Sequence, residues 1–301
     1  STLELNNFSN KSSITGMSQS FHHILWNGST QTTDVSLNLT NGFQANGSFL
    51  VQSTNNKYII LSSSNEPRDW LINGNLELHE ISSMKLSDGT GPIKITINGD
   101  LIIGNSPNLL SRLVMGTATN AGNVIDLSGN LIVNSSGGIN HNSNVMNGTI
   151  CFVNTSDIQN IQNPYDRIFK INFILNEGVS VSSSNWRVDP TYQLTLKNNA
   201  SLITNSDVPV SIERTLVNAD WAVAMDGWHL ISSPVSGQSV GTGGFTFPIG
   251  DPHYNAYDFY GWNESTNDWL NQKVAGNDIT TFILGTGYLV AYDDGGTKTF
   301  S

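Results

Sequence analysis

Asn98-Gly99-Asp100-Leu101-Ile102-Ile103 is the stretch on which the fold turns: a small polar residue, a glycine, a second small polar residue, then a short apolar run of β-formers. The pattern also stands at Asn46-Gly47-Ser48-Phe49-Leu50-Val51, Asn73-Gly74-Asn75-Leu76-Glu77-Leu78, Ser128-Gly129-Asn130-Leu131-Ile132-Val133 and Asn147-Gly148-Thr149-Ile150-Cys151-Phe152. Successive glycines are 27, 25, 30 and 19 residues apart. Asn-Gly also marks two-residue hairpin turns, because both residues tolerate positive φ, so an antiparallel meander is the competing reading. The flanking runs do not pair off across the turns, however, and a separation of roughly 20–30 residues is the length of a solenoid coil. In such a coil a fixed corner bends the chain and each strand stacks on its equivalent in the neighbouring coil. The spacing therefore predicts an all-β parallel β-helix. Stacked Asn side chains at equivalent corners would bond along the axis of the array, which accounts for the excess of Asn.

Further coils read out as Phe169 to Leu175, Gly178 to Val181, Tyr192 to Leu196, Ala200 to Thr204 and Val208 to Ile212, the last with Pro209 at a strand edge or end. Few windows carry apolar residues at i, i+3, i+4 and i+7 without an interrupting Gly, Pro or Asn-Ser pair, so helices are not expected. After about Leu216 the character changes. Aromatics become dense, the Asn-Gly corners stop, and Pro234, Pro248 and Pro252 punctuate the chain. The expected division is a solenoid over residues 1–216 and an aromatic-rich, sandwich-like β module over 217–301. An open solenoid end exposes unpaired edges and apolar core, and the second module would cap it.

The composition narrows the function classes. Charged residues are 12% of the 301, against about 25% in an average soluble domain, so the polar surface is mostly uncharged. Seven Trp, eight Tyr and twelve Phe lie within β-type runs and supply the burial that a disordered chain lacks. A net charge of −11 with only thirteen Lys and Arg leaves no basic stripe for phosphates or anionic headgroups, so neither nucleic-acid binding nor membrane-surface binding is expected. No apolar run reaches the roughly 20 residues of a membrane-spanning helix, so no membrane insertion is expected. The N-terminus shows neither Met nor a signal-peptide core, and the sequence reads as a processed or excised piece. The single Cys151 cannot form an internal disulfide and reads as a buried strand residue.

Arg214-Thr215-Leu216, Gly227-Trp228-His229-Leu230-Ile231-Ser232-Ser233-Pro234-Val235, Tyr257-Asp258-Phe259-Tyr260-Gly261-Trp262-Asn263-Glu264 and Gly285-Thr286-Gly287-Tyr288-Leu289-Val290-Ala291-Tyr292 together resemble a block of Bacteroidetes surface proteins. The repeats that end in Asn147-Gly148-Thr149-Ile150-Cys151-Phe152 are similar to the β-helical stretch that often precedes that block. The resemblance runs from about Gly129 to the end. It implies export by the type IX secretion system, with that machinery as a partner during export, and a cell-surface or extracellular location within a longer chain. It implies no catalytic residues, and no separate sorting domain is recognisable here.

Catalytic chemistry finds little purchase. His22, His23, His79, His141, His229 and His253 form no pair with zinc-ligand spacing, and packing or hydrogen bonding is the expected role of His22, His23 and His229. Gly237-Gln238-Ser239-Val240-Gly241 lacks the pattern and context of a nucleophile elbow, and Gly241-Thr242-Gly243-Gly244 lacks the lysine and helix of a phosphate loop. A β-helical polysaccharide lyase would gather Arg167, Lys170, Arg187 and Arg214 beside Asp157, Asp166 and Asp189, because it must neutralise a sugar carboxylate and abstract the adjacent proton. A glycoside hydrolase would need two carboxylates roughly 5–9.5 Å apart, for which Glu264 and Asp268 are the nearest pair in sequence. Trp262 and Trp269, with Tyr260, are the candidate ligand-binding residues, since aromatic faces stack on the apolar faces of sugars. The competing role for Trp221, Trp228, Trp262 and Trp269 is the core of the small module. Asp293-Asp294-Gly295-Gly296 and Asn277-Asp278 are oxygen-rich turns that a structural calcium would suit, although neither is a full loop motif. No cofactor, catalytic residue or catalytic metal site is expected.

The sequence therefore reads as a non-catalytic extracellular scaffold or adhesin segment whose partners would be surface glycans or other surface proteins. A polysaccharide lyase or glycoside hydrolase on a β-helix, and a glycan-binding module, are the alternatives.

Overall fold

A computed structural model of the chain describes every residue except 1, 7–8, 10–12, 15, 18, 107, 117–121, 135–137, 141–147, 184, 190, 205–207, 221, 224–225, 235–236, 246–255 and 278. Among the described residues there is no helix, and parallel stacked sheets form a β-solenoid of about seven turns. The chain divides into two compact units: residues 1–194 with 200–209, and residues 195–199 with 210–301.

In the first unit each coil visits three sheets in turn. From Phe49–Ser53 the chain passes to Tyr58–Ser62, then to Arg68–Ile72, and returns to the first sheet at Leu76–Leu78. Among the described residues every pairing in this unit is parallel, and from Phe49 to Leu131 the register is even: Phe49 partners Leu76, Leu76 partners Leu101, and Leu101 partners Leu131. A one-residue slip would turn every apolar side chain outward, so the alternation of the strands fixes this register. The inward columns Ile24-Phe49-Leu76-Leu101-Leu131 and Trp26-Val51-Leu78-Ile103-Val133 are all at most 1% exposed. Each such side chain contributes roughly 1.5–3 kcal/mol on burial, which makes these stacked columns the main source of stability. After Gln162 the path shortens. Gln159–Gln162 pairs with Ser180–Ser183, and that strand with Ser201–Thr204, without a second-sheet strand between them.

The glycines of the repeat act through space rather than through backbone angle. Gly47, Gly74, Gly99 and Gly129 stack directly: Gly74, Gly99 and Gly129 each donate the N–H to the glycine carbonyl of the coil before, at 3.0–3.1 Å. A Cβ on Gly99 would stand 2.7 Å from the Gly74 carbonyl carbon, and one on Gly129 would stand 2.3 Å from the Gly99 oxygen. None of the four has positive φ. Only glycine lets two coils approach this closely.

The residue after each glycine completes the corner. Its side chain accepts the backbone N–H of the equivalent residue one coil on, as expected for stacked polar corners. His23 Nδ1 accepts from Ser48 at 3.0 Å, Ser48 Oγ from Asn75 at 3.1 Å, Asn75 Oδ1 from Asp100 at 2.9 Å, Asp100 Oδ1 from Asn130 at 2.6 Å, and Asn130 Oδ1 from Asn160 at 2.8 Å.

One part of the repeat reading needs correction. The fifth motif, at Gly148, does not occupy this corner. Thr149–Phe152 belongs to the third sheet, beside Val124–Leu127, and the residue stacked on Asn130 is Asn160. Here Gln159 stands where the earlier coils have glycine, and its amide donates to the carbonyls of Leu127 and Gly129 at 2.9 and 2.5 Å. The short 19-residue interval therefore measures a step between two sheets rather than a coil. Cys151 is buried, but strand alternation places it on the side opposite Ile150 and Phe152, which are the fully buried inward residues.

The second unit contains the strand Ser211–Leu216, read from sequence as the end of the solenoid. It pairs in parallel with Thr195-Leu196 and antiparallel with Gly296–Phe300. A four-stranded antiparallel sheet follows, in the order His229–Ser232, Gly287–Tyr292, Tyr257–Asn263, Asp268–Asn271. Its core is made of phenyl and phenol rings. Phe282 lies at the centre, with ring centroids 5.0 Å from Phe245 and Tyr288, 5.2 Å from Phe300 and 5.9 Å from Phe259. Trp228, Trp262 and Trp269 are not part of this core and are half-buried, while Trp221 lies outside the described residues.

Candidate functional site

The residues that a lyase would need are brought together in part: Lys170 lies near enough to Asp189 for its charge to act on that carboxyl. Arg187 pairs with Asp166 across two exposed turns. Asp189 is tied to its own turn, accepting from the Thr191 hydroxyl at 2.7 Å and the Thr191 N–H at 3.0 Å. These two donors hold the Asp189 carboxyl below the usual carboxylate range, the hydroxyl being the larger cause. Asp157 is exposed. Arg167 lies over the Tyr165 ring at 6.0 Å, and Arg214 belongs to the second unit.

Of the two carboxylates considered for hydrolysis, Glu264 opens the exposed turn 264–267 of one hairpin and Asp268 begins the strand that follows it. Asp268 accepts the N–H of Trp269 at 2.8 Å, whereas Glu264 lines a cleft that Asp268 does not. Among the described residues no three of His, Cys, Asp and Glu come together as metal ligands. Asp294 instead approaches Lys298 at 3.6 Å, and Asp278 lies outside the described residues.

The described histidines are hydrogen-bonding or packing groups. His23 receives Ser48, His22 packs edge-on against His23 at 4.4 Å, His79 meets Glu77 at 2.9 Å, and His229 Nε2 accepts the Val217 N–H at 2.9 Å. His141 and His253 lie outside the described residues.

The second unit does bring the three candidate ligand residues together. Trp262 and Trp269 are directly opposed across the hairpin Tyr257–Asn263/Asp268–Asn271, and Tyr260 is opposed to Asn271. All three therefore project from one side of the sheet, the side opposite buried Phe259. The two indoles meet edge to face, 5.2 Å apart at 63°, so they do not form one flat platform. The Tyr260 hydroxyl accepts from Asn271 Nδ2 at 3.1 Å, and its ring lies 5.9 Å from Trp228. Burial, followed by the nearby Asp258 carboxylate, raises the Tyr260 phenol above its ordinary range. Leu230, 72% exposed, stands opposite Leu289, which stands opposite Tyr260, so this side of the sheet carries an apolar belt.

A cleft of about 420 Å³ wraps the end of the same hairpin. Its floor is Gly261, Leu270, Ile279 and Tyr288, and its rim includes Trp262, Glu264, Asn277 and Thr280. Gly261 keeps the floor open, since a Cβ there would sit 3.2 Å from Ile279 Cδ1 and 3.5 Å from a Tyr288 ring carbon. Tyr288 is fixed by the Ile283 N–H, which its hydroxyl accepts at 2.8 Å. Sequence reasoning pointed to Trp262, to Glu264 as a hydrolase carboxylate and to Asn277 as part of an oxygen-rich turn, but it did not group them and passed over Gly261, Ile279, Thr280 and Tyr288. The available signal was Gly261, an isolated glycine inside an aromatic strand, which marks a place where something approaches closely.

No family model matches this chain, and neither the curated proteins nor the solved structures compared with it include a match. The parallel solenoid defines an architectural class, and that class hosts scaffolds, lyases and binding proteins alike.

Proposed function

We propose that this chain is a non-catalytic scaffold or adhesin segment of a larger bacterial surface protein exported through the type IX secretion system. The observation that carries the reading is the corner column from His23 to Asn160, in which one coil's side chain closes the next coil's backbone. Such a column repeats a structural bond at each step and reserves no side chain for chemistry. Combined with continuous apolar columns, it makes a repeat array whose coils hold their immediate neighbours. A surface with few charges also makes its stability insensitive to salt. The turn at Arg187 and Asp166, an exposed ion pair, gives no support to the lyase alternative.

The test uses the parent protein in a bacterium that has this export route. Protease shaving of intact cells should release fragments of this chain, and deletion of the export channel should abolish their release. Retention inside wild-type cells would refute the surface assignment. The appearance of new reducing ends or unsaturated uronic ends, when purified chain is incubated with polysaccharides, would refute the non-catalytic one.

A further inference from the structure

We propose that the cleft floored by Gly261 and Tyr288 is a binding site for an uncharged saccharide. This goes beyond the scaffold reading, and it would stand if that reading failed.

The chemistry of the lining selects the ligand. Among the described residues no Lys, Arg or His borders the cleft, and the one formal charge they bring to it is the carboxylate of Glu264. Phosphorylated, sulfated and uronic ligands would meet an anion without a compensating cation, and burying an unpaired charge is costly. A wholly apolar ligand fits no better. It would strip water from Asn277, Thr280, Thr281 and Thr286 without replacing the hydrogen bonds. A neutral pyranose offers both an apolar C–H face, for Leu270, Ile279 and Ile283, and hydroxyls that can donate to or accept from amides, hydroxyls and the Glu264 carboxylate. The volume lies within the roughly 300–1,000 Å³ of small-ligand sites.

The cleft is also built in advance. Trp262 is held by the edge of Trp269, and Asn263 Oδ1 accepts both the N–H and the hydroxyl of Ser265, which fixes the turn that carries Glu264. Asn277 is anchored through its Nδ2 to the Asn271 carbonyl. A preformed site loses less ordering entropy on binding. Ile283 is 62% exposed beside this cleft, an apolar side chain that a bound sugar would cover.

The experiment is an amide NMR titration of the full chain with neutral oligosaccharides of glucose, mannose, galactose and xylose, run against oligogalacturonate and heparin fragments. At least one neutral probe should move the resonances of Gly261, Asn277, Thr280 and Thr286, while the acidic probes leave them in place. Gly261→Val, which fills the floor, should weaken that binding at least about ten-fold, a loss of the size one blocked contact produces. Thr280→Val is nearly isosteric and exposed, so it preserves the fold and should weaken binding several-fold. The proposal is overturned if no neutral probe shifts these resonances, if only the acidic probes or an apolar peptide do, or if the shifts fall instead on Trp228 and Leu230. Unchanged affinity in both variants would overturn it equally.

Discussion

At the scale of single residues the protein depends on atoms that are missing as much as on those present. Gly99 carries no Cβ because the Asn75 Oδ1 would lie 2.3 Å from it and the Gly74 carbonyl carbon 2.7 Å. Gly99→Ala should therefore destabilise the chain by about 2–3 kcal/mol, as overpacking against fixed backbone does. Gly241→Ala, where the nearest atom is 3.9 Å away, should change stability by no more than about 0.5 kcal/mol. Urea unfolding of the two variants decides the point, and equal effects would mean that the glycine column is incidental. Asp189 shows the same dependence on a single neighbour. Its depressed pKa means that the fold favours the carboxylate, so its contribution is present above the unfolded pKa and disappears as pH falls through the folded one. Thr191→Val should shift the Asp189 carboxyl titration back up toward the ordinary range in a carbon-detected NMR experiment. An unmoved titration would assign the depression to the Thr191 N–H alone.

At the scale of elements, alternation along each strand separates residues of similar type into different roles. Phe173 is fully buried among Phe152, Phe169 and Trp186, at 6.2, 5.4 and 4.9 Å, while its neighbour Ile174 points the other way and is half-exposed. Phe173→Ala should cost about 3–5 kcal/mol and Ile174→Ala much less, because only the first leaves a cavity in a packed core. Denaturant midpoints of the two variants check this, and a comparable loss at Ile174 would show that the outer side of this strand is packed as tightly as the inner. The same alternation in the second unit splits Tyr257–Asn263 into a buried side, with Phe259, and a half-buried side, with Tyr260 and Trp262.

At the scale of the whole molecule, the solenoid should behave as a stack of exchangeable coils. Residues 74–98 make one complete coil, because Asn98 donates to Asn73 from 25 residues away and Gly99 stacks on Gly74. Removing them joins Asn73 to Gly99 and lets Phe49 pair with Leu101 in the register that it now shares with Leu76. The shortened chain should fold with the same strand content by circular dichroism and a proportionately lower denaturant m-value. Removal of residues 74–85 cuts the coil at an arbitrary point and should abolish cooperative unfolding. If both deletions unfold the chain, the coils are not equivalent units.

The sequence by itself determined that the chain is all-β, that it is a parallel solenoid, and where four of the five glycine corners lie. Repetition carries that information, because each coil must present the same small residue at the same close approach and the same apolar pair to the same column. The sequence also singled out Tyr260, Trp262 and Trp269, whose residue type alone draws attention. Only the tertiary structure decided that the Gly148 motif lies in a different sheet, since the local pattern does not record how many sheets a coil visits before it closes. Only the tertiary structure brought Gly261, Asn277, Thr280 and Tyr288 around one cleft. Apart from the hairpin Tyr257–Asn263/Asp268–Asn271, the antiparallel sheet of the second unit joins strands separated by long connections, and no period in the sequence reports which of them become neighbours.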